Sequence, residues 1–257
     1  MSDKLDLTFM ITTCKRLDLF KRTMESLLTF CKDTDIIQEW ICIDDNSSQE
    51  DRDEMKKLYP FFKFIWKTPY QKGHPESLNI VYGHIKTKYV FSFEDDWSCS
   101  KPFLIAPYID FLESNDNIKQ IKLVNRWGKG HTYLKTIIND SKLYKYRYNQ
   151  NNSRKPLENK EYDKTVAYGD DNTSYDSNYG WWWPGFTLNP SIWKVQEFKE
   201  KIGLFEEDKK LNSVFEYDYA LRAHAEGFGI AFTDIGIGHI GTKVSAYVLN
   251  DNKRSYE

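Results

Sequence analysis

The sequence predicts an α/β fold in which a mostly parallel central sheet is flanked by helices. Three observations predict it. Over about the first hundred residues, short apolar runs alternate with amphipathic stretches in the order strand, helix, strand. The runs are apolar enough to be covered on both faces, as strands of a parallel sheet must be. Polar or acidic residues close them, at Thr13–Arg16, Asp44–Ser48 and Glu94–Asp96, where open α/β sheets bind ligands.

Taken in order, Leu5 to Thr12 reads as the first strand and Leu17 to Phe30 as a helix, with Leu19, Phe20, Thr23, Met24, Leu27 and Leu28 as its apolar stripe. Ile36 to Ile43 is a second strand, and the charged segment ending at Leu58 has the composition of a helix. Phe61 to Trp66 is a third strand, followed by a helix over Pro75 to Ile85 with proline near its first position. Tyr89 to Phe93 is the next strand, and a helix is expected after Pro102 and before residue 112. Ile118 to Val124 reads as a strand, whereas Asn125 to Tyr179 is weakly patterned and suits hairpins or loops. Asn189 to Trp193 looks like a turn opening a helix. A helix over Phe215 to Glu226, closed by Gly227, precedes a strand over Gly229 to Phe232 and a glycine-rich stretch to Ser245.

The 257 residues suit one domain, with a ligand-binding half over 1–100, a second half over 101–245 and a tail over 246–257. A net charge of -2 provides no field for nucleic acid, and no leader or membrane-spanning run is expected. Cys14, Cys31, Cys42 and Cys99 lack zinc or redox spacing and are expected as thiols in a reducing, cytoplasmic setting.

Three consecutive carboxylates, Glu94, Asp95 and Asp96, follow the strand at Tyr89. They repel one another unless a cation or hydrogen-bond donors offset them, and a divalent ion shared with phosphate oxygens is the economical cation. A solvated turn with capping acids is the competing account. Asp44 and Asp45 carry the same signal more weakly, since either can cap the following helix. Glu216 and Asp218 stand two apart near a helix start, so they point in different directions and one of them faces the cleft.

These motifs resemble nucleotide-sugar glycosyltransferases of the GT-A fold, in the neighbourhood of family 2. Met10 to Arg16 is similar to the first strand and nucleotide-binding turn, Ile41 to Ser47 to the second-strand motif, and Glu94-Asp95-Asp96 to the DxD-type signature. The resemblance covers roughly residues 5 to 100 and separate motifs up to about 245. It implies a GT-A, Rossmann-like sheet with acceptor-side loops in the second half. Thr12, Arg16 and Asp45 are then nucleotide-binding candidates, Glu94 a sugar or loop contact, Asp95 a contact to ribose or, through water, to the metal, and Asp96 the metal ligand with His239 as a further one. Arg222 and Gly227 follow Glu216 by six and eleven residues, which matches the family spacing from its catalytic acid and favours Glu216 as base, with Asp218 as rival. Trp181, Trp182, Trp183 and Gly185 resemble the loop bounding the sugar and acceptor pocket, although tryptophans also anchor cores. Leu78-Asn79 stands where the family often has Arg-Asn, which shifts a phosphate or base contact to Arg16, Lys72 or His74.

The resemblance thus implies a transferase that uses Mn2+ or Mg2+ and a UDP-sugar to glycosylate a hydroxyl, with inversion. A retaining transferase, a nucleotidyltransferase and a noncatalytic carbohydrate-binding protein are the alternatives.

Overall fold

A computed structural model describes residues 4–71, 73–124, 132–146, 184–207, 215–241 and 249. The first half follows the expected alternation: β1 (Leu5–Thr13), α1 (Leu17–Phe30), β2 (Ile37–Asp44), α2 (Gln49–Leu58), β3 (Lys63–Trp66), α3 (His74–His84) and β4 (Tyr89–Glu94). β1 lies between β2 and β4 and is parallel to both. Successive side chains on a strand face opposite ways, so Leu7, Phe9 and Ile11 join one core cluster and Met10 the other. α1 supplies Phe20, Met24 and Leu27 to the first cluster, and α3 supplies Leu78 and Val81 to the second. The Ser48 hydroxyl accepts the Asp51 N–H at 3.1 Å and caps α2, whose first turn is acidic and last turn basic, as the helix dipole favours.

The second half comprises β5 (Trp97–Cys99), α4 (Ala106–Ser114), β6 (Ile118–Lys122), β7 (Thr132–Ile138), β8 (Ser141–Lys145), β9 (Ser191–Trp193), α5 (Val195–Lys201), α6 (Phe215–Ala225), β10 (Gly229–Phe232) and β11 (Ile237–His239). The large sheet has nine strands in the order β3-β2-β1-β4-β9-β6-β10-β8-β7. Among the described residues four of its eight pairings are parallel, so the sheet is mixed and not mostly parallel. The departure arises because β9 inserts antiparallel between β4 and β6, and the hairpin β7–β8 extends the sheet beyond β10. A further correction is that Ser191–Trp193 is a strand, not a turn; its three residues are too few to show a period.

β5 and β11 form a separate antiparallel ribbon that pairs His239 with Trp97. The helix expected after Pro102 starts at Ala106, where the Asp33 carboxylate accepts the Ile105 N–H at 2.8 Å and the Ala106 N–H at 2.9 Å. The four cysteines are buried thiols. No helix among the described residues is long and apolar enough to cross a membrane.

Candidate active site

The carboxyl ends of β1, β2 and β4 lie side by side, in a register that pairs Thr12 with Ile43 and Glu94. The peptides after the strands are stitched together: Asp45 N–H donates to Thr13 O at 2.8 Å and Asp95 N–H to Thr12 O at 3.1 Å. This brings Thr12, Arg16, Asp45 and all three acids after β4 to one rim.

The three acids do different work. Asp95 turns inward and is fully buried, accepting from the Thr13 hydroxyl at 2.8 Å and from Cys14 N–H at 3.3 Å. The Arg16 guanidinium grips it through Nε at 3.3 Å and through Nη2, while Nη1 reaches Asp96 Oδ2 at 2.9 Å. Arg16 is therefore the resident cation of the acidic turn, and in this arrangement both Arg16 and Asp95 are spent on each other and not turned toward a ligand. Burial pushes the Asp95 carboxyl up to about 6 although Arg16 pulls the other way. Burial also raises Asp96, but the His239 hydrogen bond and the charges of Arg16 and His239 outweigh it, leaving Asp96 below its ordinary value. Glu94 stays partly open, with its Oε2 accepting from Trp97 Nε1 at 3.3 Å. Desolvation first, then the charges of Asp96 and Glu216, lift Glu94 to about 8.

The β5–β11 ribbon carries His239 to Asp96, with Nε2 at 3.3 Å from Oδ2. Two donors each about 2.1 Å from one ion, at a right angle, stand about 3 Å apart, so the pair has the spacing of two ligands of a single ion. Gly241 keeps the space beside them open: a Cβ there would lie 2.7 Å from His239 Cε1 and 2.9 Å from Asp96 Oδ2. Carboxylate suits Mn2+ and Mg2+, and an imidazole partner tilts the pair toward the transition metal. The donor types and spacing of this pair are compatible with a divalent ion. Among the described residues, no group of three or more His, Cys, Asp or Glu side chains is gathered for a metal.

Asp45 is held by a buried lysine. Lys67 Nζ sits 3.2 Å from Asp45 Oδ1 and donates to Gly73 O at 2.9 Å and Ser77 Oγ at 2.8 Å, while Gly73 N–H donates to Asp45 Oδ2 at 3.1 Å. Lys67 thus ties the end of β2 to the start of α3. Nothing in the local sequence marks it beyond its position at the end of a strand. Beside it, His74 Nδ1 stands 3.9 Å from Glu94 Oε1, and its buried Nε2 has no hydrogen-bond partner among the described residues. Burial, reinforced by the Lys67 charge, lowers His74 to about 4 and keeps it neutral at pH 7.

The two acids of α6 are separated as their spacing predicts. Asp218 is half-buried, and Arg222 Nε donates to it at 2.9 Å. Glu216 turns inward, accepts the Leu188 N–H at 2.8 Å, and interacts electrostatically with Glu94 across the cleft. Burial raises its pKa, against hydrogen bonds from Leu188 N–H and the Thr187 side chain and the charge of Lys122. Thr187, Leu188 and Lys122 carry no motif, and only the fold brings them to this acid. Gly185 is buried with φ +119°, and a Cβ would stand 3.0 Å from Ile230 Cγ1, so backbone conformation and close packing both require glycine there. Trp181, Trp182, Trp183 and Lys72 lie outside the described residues, as does the expected tail apart from residue 249.

A family model described as glycosyl transferase family 2 matches residues 8–176, more than half of the chain. No individual curated protein has a significant sequence match. Three solved structures share the fold. The mannosyltransferase PcManGT from Pyrobaculum calidifontis, in complex with GDP-Man and Mn2+, has a TM-score of 0.59 at 12% identity over 96% of this chain and 60% of that one. GalNAc-T7 with UDP, GalNAc and Mn2+ has a TM-score of 0.62 at 12% identity over 93% and 45%. TarS 1-349 from S. aureus has a TM-score of 0.53 at 14% identity over 88% and 57%. This chain therefore spans about half the length of these structures.

Proposed function

The chain belongs to glycosyl transferase family 2, and from that premise we propose that it is a GT-A-type, metal-dependent transferase that moves a sugar from a UDP-sugar to an acceptor hydroxyl with inversion. The observation that carries the proposal is that Glu94 lies within electrostatic reach of two unlike centres, Asp96 and Glu216. Asp96 and His239 form a donor pair of ligand spacing on one side, and the inward-facing Glu216 lies on the other.

In this mechanism Asp45, fixed by Lys67 and Gly73, offers a carboxylate acceptor to the imide N–H of uracil. Thr12 lines the nucleotide side, backed by Arg16 through its hold on Asp95 and Asp96, and the partly open Glu94 lines the sugar side. Asp96 and His239 would hold Mn2+ or Mg2+, and that ion would supply positive charge to offset the departing nucleoside diphosphate. Glu216 takes the proton of the acceptor hydroxyl at its carboxylate while Leu188 N–H and the Thr187 side chain fix its orientation. Partial burial lifts its pKa toward the working pH, where a general base is most effective.

The test is turnover of UDP-glucose, UDP-galactose, UDP-N-acetylglucosamine and GDP-mannose with Mn2+ and with EDTA, followed by NMR of the product anomer. Nucleotide release that requires Mn2+, with inverted configuration, is expected. Retention overturns the role of Glu216 as direct base, and tight UDP binding without turnover overturns catalysis.

A further inference from the structure

Residues Pro184 to Leu188 run buried between the strands and α6 without belonging to a sheet ladder, so their peptide groups need partners from elsewhere. Gln120, on β6 and fully buried, supplies those of Thr187. Its Nε2 donates to Thr187 O at 2.7 Å and its Oε1 accepts Thr187 N–H at 3.1 Å, so the side-chain amide clamps both polar groups of one residue. The second Nε2 hydrogen goes to Ser191 Oγ at 3.0 Å, on β9. Every hydrogen-bonding capacity of that amide nitrogen is used, and the ring it closes has one orientation. The next peptide N–H, that of Leu188, is the one that donates to Glu216 Oε1 at 2.8 Å, and the Thr187 side chain binds the same acid.

We propose that Gln120 is a positioning residue for the general base: through the Thr187 peptide it aims the Leu188 N–H and the Thr187 hydroxyl at Glu216 and so sets both the orientation and the proton affinity of that carboxylate. The inference rests on the assignment of Glu216 as base. It differs from a purely structural role, in which Gln120 only satisfies a buried loop and any folded substitute leaves Glu216 unaffected. The other charged groups acting on Glu216 are Glu94 from β4 and Lys122 from β6, and neither touches Gln120 through a described hydrogen bond.

The experiment compares the full chain with its Gln120→Met, Gln120→Asn and Glu216→Gln variants. Methionine keeps the volume and removes the amide. Asparagine keeps the amide but retracts it by one C–C bond, about 1.5 Å, and decides the matter alone if the methionine variant does not fold. Side-chain 13C-labelled glutamate gives a titration of the Glu216 carboxyl, identified by the resonance missing in Glu216→Gln, without any substrate. With the donor bonds loosened, the Glu216 pKa is expected to rise by at least about half a unit. The rate of hydrolysis of the UDP-sugar turned over fastest is expected to fall roughly 10- to 100-fold in kcat, with its acidic limb moved to higher pH and UDP affinity within about twofold. A folded variant whose Glu216 resonance titrates as in the parent, or whose kcat is unchanged, overturns the proposal. Should Glu216→Gln retain the parental rate, the base assignment itself fails. If Glu216→Gln is inactive while the Gln120 variants behave like the parent, only the positioning role fails.

Discussion

Replacing Arg16 by methionine removes the guanidinium that binds Asp95 through Nε and Nη2 and Asp96 through Nη1. The Asp95 carboxylate is fully buried and, among the described residues, keeps the Thr13 hydroxyl and Cys14 N–H as donors. Breaking a buried ion pair by removing one partner costs about 3–5 kcal/mol when the remaining charge is trapped. Asp95 has an escape, because it can take up a proton, and its pKa in the intact protein is already about 6. Without Arg16 that pKa rises further. A carboxyl whose folded pKa exceeds its unfolded value contributes most to stability at low pH and loses that contribution as pH rises through the folded pKa. The difference between parent and variant is therefore small below about pH 5. It grows by about 1.4 kcal/mol per pH unit above about 6 until the pH reaches the raised pKa of the variant, on top of a pH-independent loss of packing. Urea denaturation of both proteins at several values between pH 5 and 8 measures this gap. The double variant Arg16→Met/Asp95→Asn is expected to lose the pH dependence and to recover most of the alkaline deficit. A gap that is flat with pH, or that widens toward acid, refutes Arg16 as the counter-ion of Asp95.

Three further outcomes follow from the same geometry. Glu216→Gln is expected to lower kcat by roughly 10²- to 10⁴-fold with UDP affinity retained, whereas Asp218→Asn, altering a half-buried pair with Arg222, changes kcat by less than about threefold; steady-state kinetics and calorimetric UDP titration check both. Gly241→Ala drives a methyl against His239 and Asp96 side-chain atoms that can swing aside, so the thermal melt stays near the parent's while the gain in UDP affinity from Mn2+ falls about tenfold or more. Lys67→Met removes a buried cation from Asp45, Gly73 O and Ser77 Oγ, and is expected to destabilise the fold by about 3–5 kcal/mol and to weaken UDP binding; denaturant melts and UDP titration at the same temperature report the two effects.

Much of the first half of the chain was legible because its signals are local. Continuous apolar runs mark β1 and β4, a 3.6-residue stripe marks α1, and the polar residues that end the strands necessarily gather at one rim of a parallel array. The two-residue spacing of Glu216 and Asp218 correctly put them on different sides of α6, but which side is inner depends on Leu188 and Arg222, contributed by other segments or a later turn. β9 was not legible: three residues carry no period, and antiparallel insertion between β4 and β6 is a property of long-range pairing. The acidic turn shows the same limit. Residue types revealed a concentration of negative charge, but only the backbone turn decides that Asp95 points into Arg16 while Asp96 meets His239. Lys67 and Gln120 had no sequence signal at all, because their partners at Gly73, Ser77, Thr187 and Ser191 are peptide groups and small hydroxyls that no motif encodes.

The most direct measurement is the anomalous difference map of a crystal soaked with UDP and Mn2+. A manganese peak at about 2.1 Å from an Asp96 carboxylate oxygen and from a diphosphate oxygen, with His239 in the same coordination sphere, is the predicted result. Nucleotide bound in the cleft with no ion at Asp96, or an ion bound away from both Asp96 and the diphosphate, contradicts it.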